Sequence, residues 1–237
     1  MQTIDGAWIE LEVGGGTPMR AWLARPVGRA KAPGLIVFQE AYGVNGHIQE
    51  VCEKFAAEGF VALAPEIFHR TAPGREFPYS DFPAVKEHMT AMTLEGIEAD
   101  VRAVSAWFDR DKQAGGNALG AVGYCMGGRM AYLANTMVPL ACAASYYGGQ
   151  MHTFADRAPK LHGPQLLIWG GLDMAITWEQ RPLLIDALKE AGKPFIDTVI
   201  SDARHGFNCD MRPDVYSGAA ARQARALTLA FLREHLG

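Results

Sequence analysis

The feature that most constrains the fold is a regular alternation of apolar runs with amphipathic segments. Nearly uninterrupted apolar runs are typical of strands that are buried on both faces of a parallel sheet. Segments with helical spacing, such as "GHIQEVCEKFAAEG" and "GGRMAYLANTM", lie between these runs. This alternation predicts an α/β fold in which helices flank both faces of a mostly parallel central sheet. The runs are "PGLIVFQ", "FVALAP", "ALGAVGY", "LACAASYYG", "PQLLIWG" and "FIDTVI".

The N-terminal segment has a different pattern. "WIELEV" alternates apolar and polar residues, as a half-buried strand does. "GGGTP" is typical of a turn, and "MRAWLARP" is a second candidate strand. We therefore expect an antiparallel hairpin at one edge of the sheet.

The remaining segments complete a single domain over residues 1–237. A loop rich in Pro and Gly is expected over residues 66–83, followed by a long amphipathic helix with an interruption near Gly96. Further helices are expected at "WEQRPLLIDALKEAG" and "AAARQARALTLAFLREHL". We find neither an internal repeat nor a convincing linker.

Composition narrows the functional class. The 237 residues are 49% hydrophobic and carry a net charge of −4, which favours neither nucleic acid nor an anionic membrane as a partner. There is no run of about 18 apolar residues and no signal-peptide pattern. The four cysteines form no CxxC pair, and the seven histidines show no ligand spacing. We expect a cytoplasmic protein with reduced thiols, no metal and no cofactor.

Ligands of such sheets bind beyond the carboxyl ends of the strands. "GYCMGG" follows one of these strands and places Cys125 in a G-x-C-x-G pattern. The corresponding G-x-S-x-G turn exposes a nucleophile between a strand and a helix, and the N-terminus of a helix favours a thiolate. Taken alone, the pattern fits a buried structural cysteine equally well.

The residues that follow two other strands favour the interpretation of Cys125 as a nucleophile. Asp173 follows "PQLLIWG" and His205 follows "FIDTVI", so the chain order is nucleophile, acid, histidine, as in α/β-hydrolases. We expect Cys125 to attack an acyl carbonyl, His205 to transfer protons and Asp173 to orient the imidazole. The backbone N–H groups of Met126 and Ala41 are the expected oxyanion donors.

The sequence resembles the dienelactone hydrolase family of α/β-hydrolases over nearly its whole length. The motifs that carry the resemblance are "QEAYGVN", "AEGFVALAPEIFHRTAPG", "VGYCMGGRMAYLA", "SYYGG", "GGLD" and "HGFNCD". Cysteine in place of serine is the most specific of them. The resemblance implies the α/β-hydrolase fold and the triad Cys125, Asp173 and His205.

The resemblance also implies roles around the triad. Glu40 matches a carboxylate that competes with His205 for the thiol, since a nearby anion disfavours a thiolate. Tyr42 and Tyr147 match aromatic pocket positions, and Phe207 shares the strand end of His205. Where relatives that act on an anionic lactone have arginines, this chain has Phe82 and Cys209. Arg75, Arg204 and Arg212 are the alternative carboxylate ligands.

The expected function is hydrolysis of a small ester or lactone through a thioester intermediate. The alternatives are an esterase or thioesterase acting on another neutral substrate, and a non-catalytic member in which Cys125 is a redox-sensing thiol. The expected partner is the small-molecule substrate, with no nucleic acid and no membrane. The chain is expected to be a monomer or a weak homo-oligomer.

Overall fold

A computed structural model describes residues 2–14 and 17–237. The chain divides into two compact units, Met1–Leu119 and Gly120–Gly237. The prediction of a single domain stays a prediction. None of the helices in the described ranges combines the length and the apolar character that crossing a bilayer requires.

The first unit contains four strands in the spatial order β1, β2, β4, β3. The predicted hairpin is confirmed: β1 and β2 pair antiparallel, with Trp8 opposite Trp22. Residues 15 and 16 of its predicted turn lie outside the described residues. The strand β2 is antiparallel to β4, whereas β3 and β4 are parallel. The strands are β1 (Ile4–Leu11), β2 (Met19–Pro26), β3 (Gly34–Phe38) and β4 (Val61–Pro65).

Three helices accompany these strands: α1 (Gly46–Ala57), α2 (Phe82–Thr90) and α3 (Leu94–Arg110). The helix expected here with an interruption near Gly96 consists of two helices, and the break between them, at residues 91–93, lies just before Gly96. The reason is a cap, because the Thr93 hydroxyl accepts the Gly96 N–H at 3.1 Å and begins α3. A threonine at this position satisfies an N–H that otherwise has no partner within the helix.

The second unit is built on four consecutive parallel strands, in register from β5 to β8. They are β5 (Leu119–Tyr124), β6 (Cys142–Tyr146), β7 (Gln165–Gly170) and β8 (Phe195–Ile200). The helices of this unit are α4 (Met126–Met137), α5 (Gln180–Glu190) and α6 (Gly218–Leu236), with a 3₁₀ helix at Met151–Lys160. Sequence patterns did not predict the 3₁₀ helix.

Burial within these four strands follows their position in the sheet. All residues of β6 and β7 are buried, as expected from their apolar sequences. The expectation that β8 is buried was wrong, since Ile196 is 41% and Val199 37% exposed. The strand β8 is last in the order of the sheet and pairs with β7. Its apolar sequence therefore resembled that of a central strand although it lies at an edge.

Candidate active site

Cys125 connects the last residue of β5 to the first residue of α4 in a backbone conformation that side chains rarely adopt. Its φ is 55° and its ψ is −115°. Its N–H donates to the Tyr146 carbonyl at 3.0 Å, and its carbonyl accepts the Gly128 N–H at 3.0 Å. Strained residues of this kind concentrate at functional sites, where the surrounding structure holds them in place.

The glycines around Cys125 permit this tight turn. A Cβ atom on Gly123 would lie 1.8 Å from the Gly127 carbonyl oxygen. A Cβ atom on Gly128 would lie 2.7 Å from the Tyr146 carbonyl oxygen. Gly123, the first glycine of the G-x-C-x-G pattern, and Gly128, which directly follows the second, therefore lie where backbone segments approach too closely for a side chain.

The three residues expected at the strand ends of this unit lie in one hydrogen-bonded chain. His205 Nε2 lies 3.0 Å from Cys125 Sγ, and His205 Nδ1 lies 2.8 Å from Asp173 Oδ2. The Asp173 side chain is fully buried, and the His205 side chain is 22% exposed. With the hydrogen on Nδ1 donated to Asp173, Nε2 faces the sulfur and can exchange a proton with it.

The other oxygen of Asp173 is fixed by its own loop. Its Oδ1 accepts the backbone N–H groups of Ala175 at 2.8 Å and Ile176 at 3.0 Å. These bonds set the carboxylate plane and leave Oδ2 directed at His205. The geometry is that of an orienting acid.

Two glycines bring the loop of the acid close to the loop of the histidine. A Cβ atom on Gly170 would lie 2.5 Å from the Ala203 carbonyl oxygen. A Cβ atom on Gly171 would lie 2.3 Å from the Ser201 carbonyl oxygen. The "GG" before Leu172 and Asp173 is therefore required by close packing of the segments that follow β7 and β8.

Opposing effects set the charge of His205. Burial, the largest effect, lowers the pKa of this imidazole, but it is outweighed by the negative charge of the Cys125 sulfur and by the hydrogen bonds to Asp173 and Cys125. Together they raise the pKa of His205 to about 10. The arrangement thus favours the imidazolium form of His205 beside the Cys125 sulfur.

Arg129 adds a second positive charge one helical turn after Cys125. It is 9% exposed, and its Nη1 donates to the Gln150 side chain. Burial lowers the pKa of Arg129, and the charge of Cys125 opposes this effect. No role for Arg129 was predicted from the sequence. The signal for it was its spacing of four residues from Cys125, which places both on one side of α4.

Aromatic residues surround the histidine. The ring of Tyr147 lies 5.1 Å from that of His205, and the ring of Phe207 lies 5.1 Å from that of Tyr147. Both aromatic residues are fully buried, and Tyr147 also has a positive φ, 37°. The structure thus brings these two expected pocket residues together with His205. Their contact with substrate stays a prediction.

The thiols of the protein differ in their surroundings. Burial raises the pKa of the Cys142 thiol to about 12, and it raises the pKa of Cys52 further. Both residues are fully buried. Cys209 is also fully buried, and its N–H donates to the Gly206 carbonyl at 2.9 Å. Cys125, which is partly exposed, has a histidine against its sulfur.

The site residues expected from the first unit follow β3 or begin α2. Glu40 and Ala41 are buried, with exposures of 2% and 1%. Tyr42 is also buried, and its ring packs edge-on against Tyr79 at 4.7 Å. Phe82 begins α2 and is 51% exposed. The roles proposed for these four residues toward Cys125 stay predictions.

Known proteins are similar to this chain over most of its length. The model of the dienelactone hydrolase family matches residues 19–236. A carboxymethylenebutenolidase of Pseudomonas sp. (strain P51) is 32% identical over 229 residues, covering 95% of this chain and 94% of that protein. A candidate carboxymethylenebutenolidase of Salmonella typhimurium is 33% identical over 218 residues, covering 86% of this chain and 79% of that protein.

Solved structures that resemble this chain include proteins described as dienelactone hydrolases or as similar to them. A candidate dienelactone hydrolase from Klebsiella pneumoniae has a TM-score of 0.85 at 29% identity, covering 96% of this chain and 98% of that one. A dienelactone hydrolase-like promiscuous phosphotriesterase from metagenomic libraries has a TM-score of 0.88 at 19% identity and covers 99% of both chains, which shows the shared fold. The predicted α/β-hydrolase fold is confirmed. The chain is thus a hydrolase of the esterase type and belongs to the dienelactone hydrolase family.

Proposed function

We propose that this protein hydrolyses small esters or lactones with Cys125 as nucleophile, His205 as proton carrier and Asp173 as orienting acid. The observation that carries the proposal is the chain of contacts from Sγ through the imidazole to Asp173, at 3.0 and 2.8 Å. The raised pKa of His205 supports it, because the protonated imidazole can donate to a leaving oxygen.

The proposed reaction has two halves. The Cys125 thiolate attacks the acyl carbonyl, the bond to the leaving oxygen breaks, and His205 protonates that oxygen. A thioester remains on Cys125. Neutral His205 then takes a proton from water, the resulting hydroxide attacks the thioester, and the acid leaves as the thiolate re-forms. With a lactone, the leaving oxygen stays on the acyl chain as a hydroxyl group, and the second half releases the whole hydroxy acid.

Three further groups complete the proposed site. The N–H of Met126, at the start of α4, and the N–H of Ala41 are the proposed donors to the oxyanion. The first N–H groups of a helix have no partner within it, which suits Met126 to this role. Glu40 is proposed to compete with His205 for the thiol before substrate binds.

The relatives support a lactone substrate, since carboxymethylenebutenolidases are named for one. Whether the substrate is anionic follows from a single comparison of rates. A side-by-side measurement of kcat/KM on dienelactone, neutral lactones and short aryl esters distinguishes the two classes. Higher values for dienelactone would assign the family's anionic substrate, and higher values for the neutral compounds would assign the alternative esterase.

The nucleophile is tested by hydrolysis of p-nitrophenyl acetate. We expect Cys125→Ala to lose activity, whereas Cys142→Ala retains it, because the Cys142 thiol is fully buried in β6. Mass spectrometry of the wild-type protein during turnover should show one acetyl group on Cys125. Undiminished turnover by Cys125→Ala would overturn the proposal, and an unaltered, inactive wild type would favour the redox-sensing alternative.

A further inference from the structure

Arg181 lies in the first turn of α5, close to the loop that carries Asp173. It is 5% exposed. Its guanidinium carbon lies 4.3 Å from the ring centroid of Trp178 and 5.5 Å from that of Trp169. A guanidinium held against two indole faces has few alternative positions, and each such contact favours the positive charge.

The guanidinium is bonded to the backbone that positions the acid. Arg181 Nη2 donates to the Gly170 carbonyl at 2.6 Å. The same carbonyl accepts the Asp173 N–H at 3.4 Å. Gly170 is the last residue of β7 and has no room for a side chain. Arg181 therefore fixes the point at which the acid loop leaves the sheet.

Arg181 has an unusual charge environment for a buried arginine. Among the described residues, no carboxylate lies within ion-pair distance of it. Its Nε and Nη1 also have no hydrogen-bond partner there. Burial lowers its pKa, and the more distant charges of Asp173 and Asp197 oppose this effect.

A buried, incompletely bonded cation costs stability. If Arg181 only filled space between two indoles, an apolar side chain of similar length would do so without this cost. An apolar side chain would lose the hydrogen bond to the Gly170 carbonyl and the attraction to the Asp173 charge. Both act on the geometry of the acid loop.

We propose that Arg181 is a positioning residue that holds the Gly170–Asp173 loop so that the Asp173 carboxylate meets His205 in the reactive geometry. This inference deepens the proposed function and rests on it. Arg181 does not touch the reacting atoms; it acts through the loop and its carboxylate. Losing it should therefore lower kcat and leave KM nearly unchanged, since substrate contacts are not involved.

The test compares Arg181→Met and Arg181→Lys with a matched control, Asp197→Asn. Met preserves most of the volume, and Lys restores a donor and the charge. Asp197 accepts the Trp169 indole N–H at 2.7 Å, so its change alters the same aromatic neighbour and one distant charge on Arg181. The bond from Arg181 to Gly170, on which the proposal rests, stays in place. Each variant is assayed for kcat and KM on p-nitrophenyl acetate, for Tm, and for the downfield NMR signal of the His205 Nδ1–H.

We expect Arg181→Met to lower kcat about 100-fold, the scale of a small misplacement of a reacting group. The downfield signal of His205 in this variant should shift or broaden. Arg181→Lys should recover part of the kcat and part of the signal. Asp197→Asn should keep kcat and the signal. An Arg181→Met protein with a lower Tm but wild-type kcat and signal would overturn the proposal and leave a packing role. An active Cys125→Ala would instead overturn the proposed function itself.

Discussion

Cys125 Sγ and His205 Nε2 lie 3.0 Å apart, although 80 positions separate the two residues in the chain. The distance is short because β5 and β8 are parallel strands of one sheet, so their carboxyl ends lie at the same edge. The strained turn at Cys125 raises the sulfur above that edge, and the loop after β8 carries the imidazole to it. The contact couples the charges of both groups.

This coupling predicts a high titration midpoint for His205. The negative sulfur favours the protonated imidazole, so the pKa of about 10 lies above the usual 6.5 of histidine. In NMR titrations of ring resonances, His205 should remain protonated through neutral pH and lose its proton near pH 10. In Cys125→Ala the midpoint should fall, since the opposing charge and one hydrogen bond are gone while burial remains.

The Cys125→Ala variant is the control for the wild-type titration. A wild-type midpoint near 6.5, or one that Cys125→Ala leaves unchanged, would show that the sulfur carries no negative charge in the resting protein.

Replacement of Asp173 by Asn tests the orienting role of the acid. The Asn side-chain oxygen can keep the N–H groups of Ala175 and Ile176, which now bond Oδ1. Its NH₂ group then replaces Oδ2 and donates toward His205, which forces the imidazole hydrogen onto Nε2. We expect kcat on p-nitrophenyl acetate to fall by about 10⁴-fold with the fold intact.

Asp186→Asn is the matched control, because Asp186 is exposed on α5 and pairs with Lys189. It should retain full activity. Equal activity of the two variants would remove Asp173 from the mechanism.

The sequence predicted the positions of the strands and of the three residues that follow them, because apolar runs and turn glycines are local signals. Whether a strand lies at the edge or in the centre of the sheet is not a local signal, so β8 was wrongly expected to be buried. The interruption before α3 was expected near Gly96 because glycine is a local signal, and the cap by Thr93 sets where α3 begins.

The burial of Arg129 and Arg181 could not be predicted from the sequence for a different reason. Arginine is usually exposed. Arg129 and Arg181 differ because tertiary packing brings residues that are distant in the chain into contact with them. Gln150 approaches Arg129 across the turn after β6, and Trp169 reaches Arg181 from β7. Neither contact follows from residue spacing along the chain.

Thiol chemistry should be confined to Cys125. Burial raises the pKa of the Cys142 thiol to about 12 and that of Cys52 beyond it, so neither supplies a thiolate at neutral pH. Brief treatment with iodoacetamide at pH 7, followed by peptide mass mapping, should find the label on Cys125 and little elsewhere. His205→Ala should slow the labelling, because the imidazolium no longer stabilises the thiolate. Equal labelling of Cys142 in the folded protein would contradict this picture.

The glycine before the nucleophile should be essential to the fold, and a nearby glycine should not. In Gly123→Ala the new methyl group would lie 1.8 Å from the Gly127 carbonyl oxygen, so the turn at Cys125 must shift. We expect its free energy of unfolding in urea to fall by at least about 3 kcal/mol. In Gly149→Ala the methyl group meets no atom within 4 Å, and the change should stay within about 0.5 kcal/mol. Equal stabilities would mean that the turn relaxes freely, and Cys125 would then lack the rigid support on which its proposed reactivity depends.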